Sequence, residues 1–149
     1  MDVISKWAQF VGRVALGLIF IVSGLGKLAG WRGTVGYAGS KGVPEILLAI
    51  ATALELLGAV SVVVGFKARW GALALLIFLV PVTLVFHNFW AYEGQEQKMQ
   101  MINFLKNLAI MGGLLEFSAA GAGAWSLDSA LAGARGPVLA YWHGTRRPV

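Results

Sequence analysis

Eight polar side chains stand out in stretches that are largely apolar: Arg13, Lys27, Glu55, His87, Asn88, Asn103, Lys106 and Asn107. Their types define a short range of chemistry. A lysine or a protonated histidine donates to an oxyanion or a carbonyl oxygen. A carboxylate and a histidine on one path can relay a proton. The three amides donate and accept without charge, so they orient a bound group. If these residues share one niche, Lys27, Lys106 and His87 outweigh Glu55. Such a niche suits a small anion or a carbonyl-bearing molecule such as a quinone headgroup. Each residue also has a plainer use. Lys27 and Lys106 can snorkel to an interface. His87 and Asn88 can serve a helix end. Glu55 can belong to an ion pair that fixes helix register.

What makes these residues expensive is the chain around them. Of 149 residues, 58% are hydrophobic and only 13% charged, whereas a soluble domain carries about 45–50% apolar and about 25% charged residues. Cysteine is absent, which excludes disulfides and Cys-ligated metal or iron–sulfur centres on this chain. Two histidines argue against a metal site built from this chain alone. The net charge of +5 is explained by basic loops facing the cytoplasm and anionic lipid, not by nucleic acid.

The apolar runs fall at about 8–29, 43–65, 68–90 and 99–120, each near the ~20 residues that cross a bilayer as a helix. The expected fold is therefore an all-α membrane protein, a four-transmembrane-helix antiparallel bundle over residues 1–122. A short cytoplasmic interfacial segment, 123–149, follows it. Trp7, Trp31, Trp70, Trp90 and Trp125 flank the runs, as headgroup-level indoles do. The glycine-rich stretch GWRGTVGYAGSKGVP reads as the first joint, with Pro44 in the first turn of the next helix. The first run is not followed by a small-residue cleavage site, so it is expected to be retained. Lys6, Lys67, Arg69, Arg135, Arg146 and Arg147 fall on one side and Arg32, Lys41 and Lys98 on the other. Both termini are expected to be cytoplasmic.

Helical periodicity then says which side chains meet. Arg13, Gly17, Phe20, Gly24 and Lys27 share one face of the first span, and its glycines allow another backbone to approach. Glu55 lies mid-span with Leu48, Ala51, Gly58 and Val62 on its face. It either carries its charge against Arg13 or Lys27 or is kept neutral by its apolar surroundings. Pro81 cannot donate to the Ile77 carbonyl and is expected to bend the third span. Thr83 and His87 follow on one face, and Asn103, Lys106 and Asn107 cluster on the fourth helix. Lys27, His87, Asn88, Asn103, Lys106 and Asn107 therefore map to the outer half, with Glu55 as floor. Glu116 lies apart, where it snorkels or meets Arg13. Beyond the fourth span, Ser126 can cap a short helix with Asp128 in its first turn, and Tyr141 and Trp142 suit the headgroups.

The stretches RVALGLIFIVSGLGKLAG, GVPEILLAIATALELLGAVSVVVGFKAR, FHNFW and FLKNLAIMGGLLEFSAAGAGAWSLD occur in this order between about residues 10 and 129. Together they resemble the DoxX family of bacterial inner-membrane proteins. The resemblance implies that Arg13, Lys27, Glu55, His87, Lys106, Asn107, Ser126 and Asp128 are the family's recurrent polar positions. Ala122 stands where relatives commonly carry proline, which bears on the exit from the fourth helix. Some relatives are membrane subunits of thiosulfate:quinone oxidoreduction, others are associated with redox-stress complexes, and many have no assigned chemistry. The first expectation is a membrane subunit or anchor of a redox system that contacts quinone. Without a flavin, haem or iron–sulfur motif it would need a soluble oxidoreductase partner to carry electrons. The others are a proton-coupled transporter using Glu55 and His87, for which four spans are few unless it forms a homo-oligomer, and a non-catalytic scaffold.

Overall fold

The computed structural model describes residues 2–133, and among these it contains helices and no strand. The helices are α1 (Val3–Ala29), α2 (Trp31–Ser40), α3 (Glu45–Val64), α4 (Ala68–Phe86) and α5 (Gly94–Ala120), with a 3-10 turn at Phe89–Ala91. Residues 127–133 are again helical. Three segments, Val3–Ala29, Glu45–Val64 and Ala68–Ala91, are long and apolar enough to cross a membrane. The fourth expected span is helical as α5, but its first half carries Gln95, Glu96, Gln97, Lys98 and Gln100. Its polarity keeps it out of that set.

α3 packs against both α1 and α4, and α5 packs against α4. Contact pairs run in opposite chain directions. Lys27 meets Glu55, whereas Gly17 lies against Ala59 and Val63. Asn107 meets Thr83, and Gln100 meets His87. Neighbouring long helices are thus antiparallel. The face predicted for the first span is the buried one: Arg13, Gly17, Phe20 and Gly24 are the buried residues of α1. A Cβ on Gly24 would stand 2.6 Å from a Leu56 methyl, and one on Gly17 would collide with Val63. Those glycines set the α1–α3 spacing. The core is Phe20, Ala59, Val62, Ala72, Leu75, Phe78, Leu79 and Leu114.

Two local expectations change. The glycine-rich joint contains a ten-residue helix, α2. Gly33, Gly36 and Gly39 lower its intrinsic propensity, but packing overrides it: Ala38 is 1% exposed and the Tyr37 ring lies 5.6 Å from that of Phe86. The third apolar run also stops being α-helical at Phe86, although α4 passes unbroken through Pro81. His87 is its C-cap, donating its backbone N–H to the Thr83 carbonyl.

Candidate functional site

At the α2 end lies a cavity of about 390 Å³, walled by α1, α2, α3 and α4. Its lining is mainly apolar, from Leu47, Leu48, Ala51, Phe78, Val82 and Phe86. Pro81 lines it too, and Lys27, Ser23, Tyr37, Thr52 and His87 add polar groups. Ligand pockets typically hold about 300–1,000 Å³ and pair apolar walls with a few placed polar groups.

Lys27 stands on the cavity wall. Its ammonium donates to Glu55 Oε2 at 2.6 Å and to Ser23 Oγ at 2.8 Å. Of the two cations the sequence offers Glu55, Lys27 is the partner, and this is the one ion pair among the described residues. The exposures differ: 2% for the Glu55 side chain against 26% for Lys27. The carboxylate is thus sealed in the helix packing and the ammonium faces outward from it. Thr52 is no free donor, because its hydroxyl bonds the Leu48 carbonyl.

His87 lines the same cavity, and its Nδ1 lies 2.9 Å from Gln100 Oε1 on α5. The Gln100 amide nitrogen faces Glu96 at 3.5 Å. With its oxygen toward the ring, Gln100 accepts a hydrogen bond from the Nδ1–H tautomer, which leaves Nε2 as the uncommitted ring nitrogen. Sequence reasoning passed over Gln100, although Glu96, Gln100 and Asn107 recur at helical spacing. It also passed over Ser23, Tyr37 and Thr52.

The remaining predicted residues lie elsewhere. Asn107 is buried and donates to the Thr83 hydroxyl at 3.0 Å, which in turn donates to the Leu79 carbonyl at 2.7 Å. That chain ties α5 to α4. Lys106 is exposed and bonds Asn103 within its own helix at 3.0 Å. Neither lines the cavity, so among the described residues the expected excess of positive charge is not found there. Asn88 caps the Phe89–Ala91 turn through its carbonyl, and its buried Oδ1 has no partner. Outside the cavity lining, Lys41 donates to the Tyr92 hydroxyl. That bond raises the Lys41 ammonium above its ordinary value. Trp31 Nε1 donates to Glu45 at 2.9 Å.

Arg13 belongs to the opposite end. It is 3% exposed, and its guanidinium donates to the Ala122 carbonyl at 2.7 Å and the Trp125 carbonyl at 2.6 Å. It does not reach Glu55 or pair with Glu116. Ser126 caps the 127–133 helix, accepting from Ser129 N–H at 3.2 Å. Asp128 instead caps a different helix, accepting from the Lys67 and Ala68 N–H groups at 2.8 and 3.0 Å. Its own N–H donates to the Gly65 carbonyl at 2.8 Å. Gly65 has φ +76, and a Cβ there would lie 2.9 Å from the Arg13 guanidinium. Arg135, Tyr141, Trp142, Arg146 and Arg147, and with them most of the expected interfacial tail, lie outside the described residues.

The sequence profile of the DoxX family matches residues 8–88, from α1 to the cavity histidine. The chain belongs to the DoxX family. It is similar to inner membrane protein YphA of Escherichia coli (strain K12), 38% identical over 120 residues, covering 79% of this chain and 86% of YphA. Inner membrane protein YqjF of the same organism is 36% identical over 121 residues, covering 81% of this chain and 89% of YqjF. A Bacillus subtilis (strain 168) protein provisionally named oxidoreductase CatD is 42% identical over 57 residues, 38% of this chain and 42% of CatD. No solved structure matches the chain. Membership in DoxX and the three apolar helices identify an integral inner-membrane protein. The matched segment contains Lys27, Glu55 and His87 but stops short of Gln100 and Asp128.

Proposed function

We propose that this DoxX-family protein is the membrane subunit or anchor of a redox system, and that its cavity receives the headgroup of a membrane-soluble carrier such as a quinone. The observation that carries the reading is the cavity: apolar walls of about 390 Å³ with Lys27 on one side and His87 on another. An apolar molecule with one polar end fits such walls, its oxygen accepting from Lys27. Electrons would come from a soluble oxidoreductase partner, a role consistent with the provisional name of CatD.

In this reading α5 is the fourth span of an antiparallel bundle. Its polar first turns sit at the outer interface, and its inward side satisfies Asn107 against Thr83. The cavity end faces the periplasm and the Arg13 end the cytoplasm, as the basic residues Lys6, Lys67 and Arg69 favour. The absence of cysteine makes the topology directly measurable. Cysteines placed at Ser40, Gln97 and Ser129 are labelled with an impermeant maleimide in spheroplasts. Labelling at the first two positions and protection at the third is expected. Equal labelling at Gln97 and Ser129 would overturn the fourth span.

Binding is tested with decylubiquinone and the purified chain in mild detergent. Saturable binding is expected, weakened at least about tenfold when Ala51→Phe fills the cavity, a loss near 1.4 kcal/mol. Unaltered binding in a folded Ala51→Phe variant would sink the cavity as the site. The buried Glu55 carboxylate favours one second reading, proton-coupled transport. Its mark would be solute uptake into vesicles driven by a proton gradient and lost in Glu55→Gln.

A further inference from the structure

We infer that Glu55 makes the cavity selective for uncharged ligands, by cancelling the charge of Lys27 while leaving it a hydrogen bond to give. The inference rests on the reading that the cavity binds a ligand, and it adds which charge that ligand carries.

Lys27 is the cation on the cavity wall among the described residues. Its ammonium has three N–H groups; one is committed to Glu55 and one to Ser23. The third is left for the cavity. A neutral carbonyl oxygen can accept it at no electrostatic cost. An anionic headgroup accepting the same hydrogen bond would give up hydration to a mainly apolar lining, beside an ion pair whose net charge is zero. Among the described residues no other lysine or arginine lines the cavity to offset that loss. Lys106 is turned outward to Asn103, and Lys41 is tied to Tyr92. His87 has Nδ1 engaged by Gln100, so it presents a single ring nitrogen. The difference in exposure fits the role: Glu55, at 2%, neutralises from behind while Lys27, at 26%, makes the contact. The arrangement separates the charge of the site from its hydrogen-bonding capacity.

The test uses a pair of probes alike in chain and carbonyl, methyl dodecanoate and dodecanoate. Both are radiolabelled and measured on the purified full chain in detergent micelles at about pH 9, above the carboxyl range. Wild type is expected to bind the ester at least about tenfold more tightly than the anion. Glu55→Gln keeps the shape, frees the Lys27 charge and should reverse or erase that preference. The double variant Lys27→Gln/Glu55→Gln carries no unpaired charge; it should keep the ester and still exclude the anion. If Glu55→Gln does not fold, wild type and the double variant decide the matter. Equal affinity of wild type for both probes would overturn the inference alone, as would an unchanged ratio in folded Glu55→Gln. Failure of both probes to bind any variant would overturn the ligand reading and the inference with it.

Discussion

The two ends of this molecule hold buried polar groups in opposite ways. At the Arg13 end, side chains bond backbone: Arg13 bonds the Ala122 and Trp125 carbonyls and Asp128 the Lys67 and Ala68 N–H groups, while the main-chain N–H of Asp128 adds a bond to the Gly65 carbonyl. Helix termini leave such groups unpaired, and one arginine and one aspartate satisfy five of them while tying the exit of α5 to the α3–α4 turn. Trp7 and Phe10 close over this clasp, with Trp7 4.7 Å from the Trp125 ring. At the cavity end, side chains bond side chains: Lys27 to Glu55 and Ser23, His87 to Gln100. Each of these bonds leaves a donor or acceptor spare beside about 390 Å³ of open space. At the Arg13 end the bonds knit chain segments together around a buried Arg13 Nε and Gln9 Oε1 that stay unpartnered, whereas spare capacity beside a cavity reads as a site.

Mutations can break that contrast, and the largest effect should come at the cavity end. Lys27→Met strands a carboxylate that is 2% exposed, which costs about 3–5 kcal/mol. Thermal or denaturant unfolding in detergent should show it, and Glu55→Leu in the same chain should restore most of the loss. A Lys27→Met protein as stable as wild type would mean the pair is not sealed as described. Next comes Arg13→Leu, which removes two charge-assisted bonds at about 2–4 kcal/mol. Ligand affinity at the cavity should stay within about twofold of wild type when compared on folded protein. A large affinity change would erase the division between the ends. Asp128→Ala uncaps α4 and should cost about 1–2 kcal/mol, whereas Asp128→Asn, which keeps one acceptor, should cost less.

The smallest effects are two pH limbs of opposite sign, one at each end. Asp2 accepts from Ser5 N–H at 2.7 Å, which holds its carboxyl below the ordinary value. Its cap on α1 is complete above about pH 4 and is lost as pH falls through the depressed folded value. Lys41 is raised by the Tyr92 hydroxyl. Its contribution is complete below about pH 10 and is lost as pH rises through the raised folded value. Unfolding temperatures followed across pH should lose the acid limb in Asp2→Ala and the alkaline one in Lys41→Met. Persistence of either limb in its variant would assign it to another group.

Much of the packing was legible because helical geometry links position to face. Arg13, Gly17, Phe20 and Gly24 share an orientation at their spacing, and they are the buried set of α1. Small residues at two of those positions allow the close approach of α3, and the mid-helix glutamate left two states open, paired or neutral, of which the structure shows it paired with Lys27. The partners themselves were less legible. Charge alone pairs Arg13 with a carboxylate, yet it bonds backbone carbonyls, and every residue carries one. Position in the chain assigns Asp128 to the helix it begins, yet it caps α4, because a cap joins whatever chain end lies near it in space. Lys106 was placed with His87 by depth alone. Depth does not fix rotation about the helix axis, and Lys106 is turned outward. The glycines that made residues 30–42 look like a loop could not reveal that Ala38 and Tyr37 pack well enough to hold α2.

The sequence alone determined the class of molecule and the cost of its polar residues. Apolar length fixes how much helix can cross a membrane, and periodicity fixes which side chains on one helix point together. Only the tertiary structure decided which groups satisfy one another and which leave capacity unused. Hydrogen bonds and charge pairs act over a few ångströms, and contacts at that range depend on how helices are rotated and spaced against one another. A pattern along one chain does not contain those quantities.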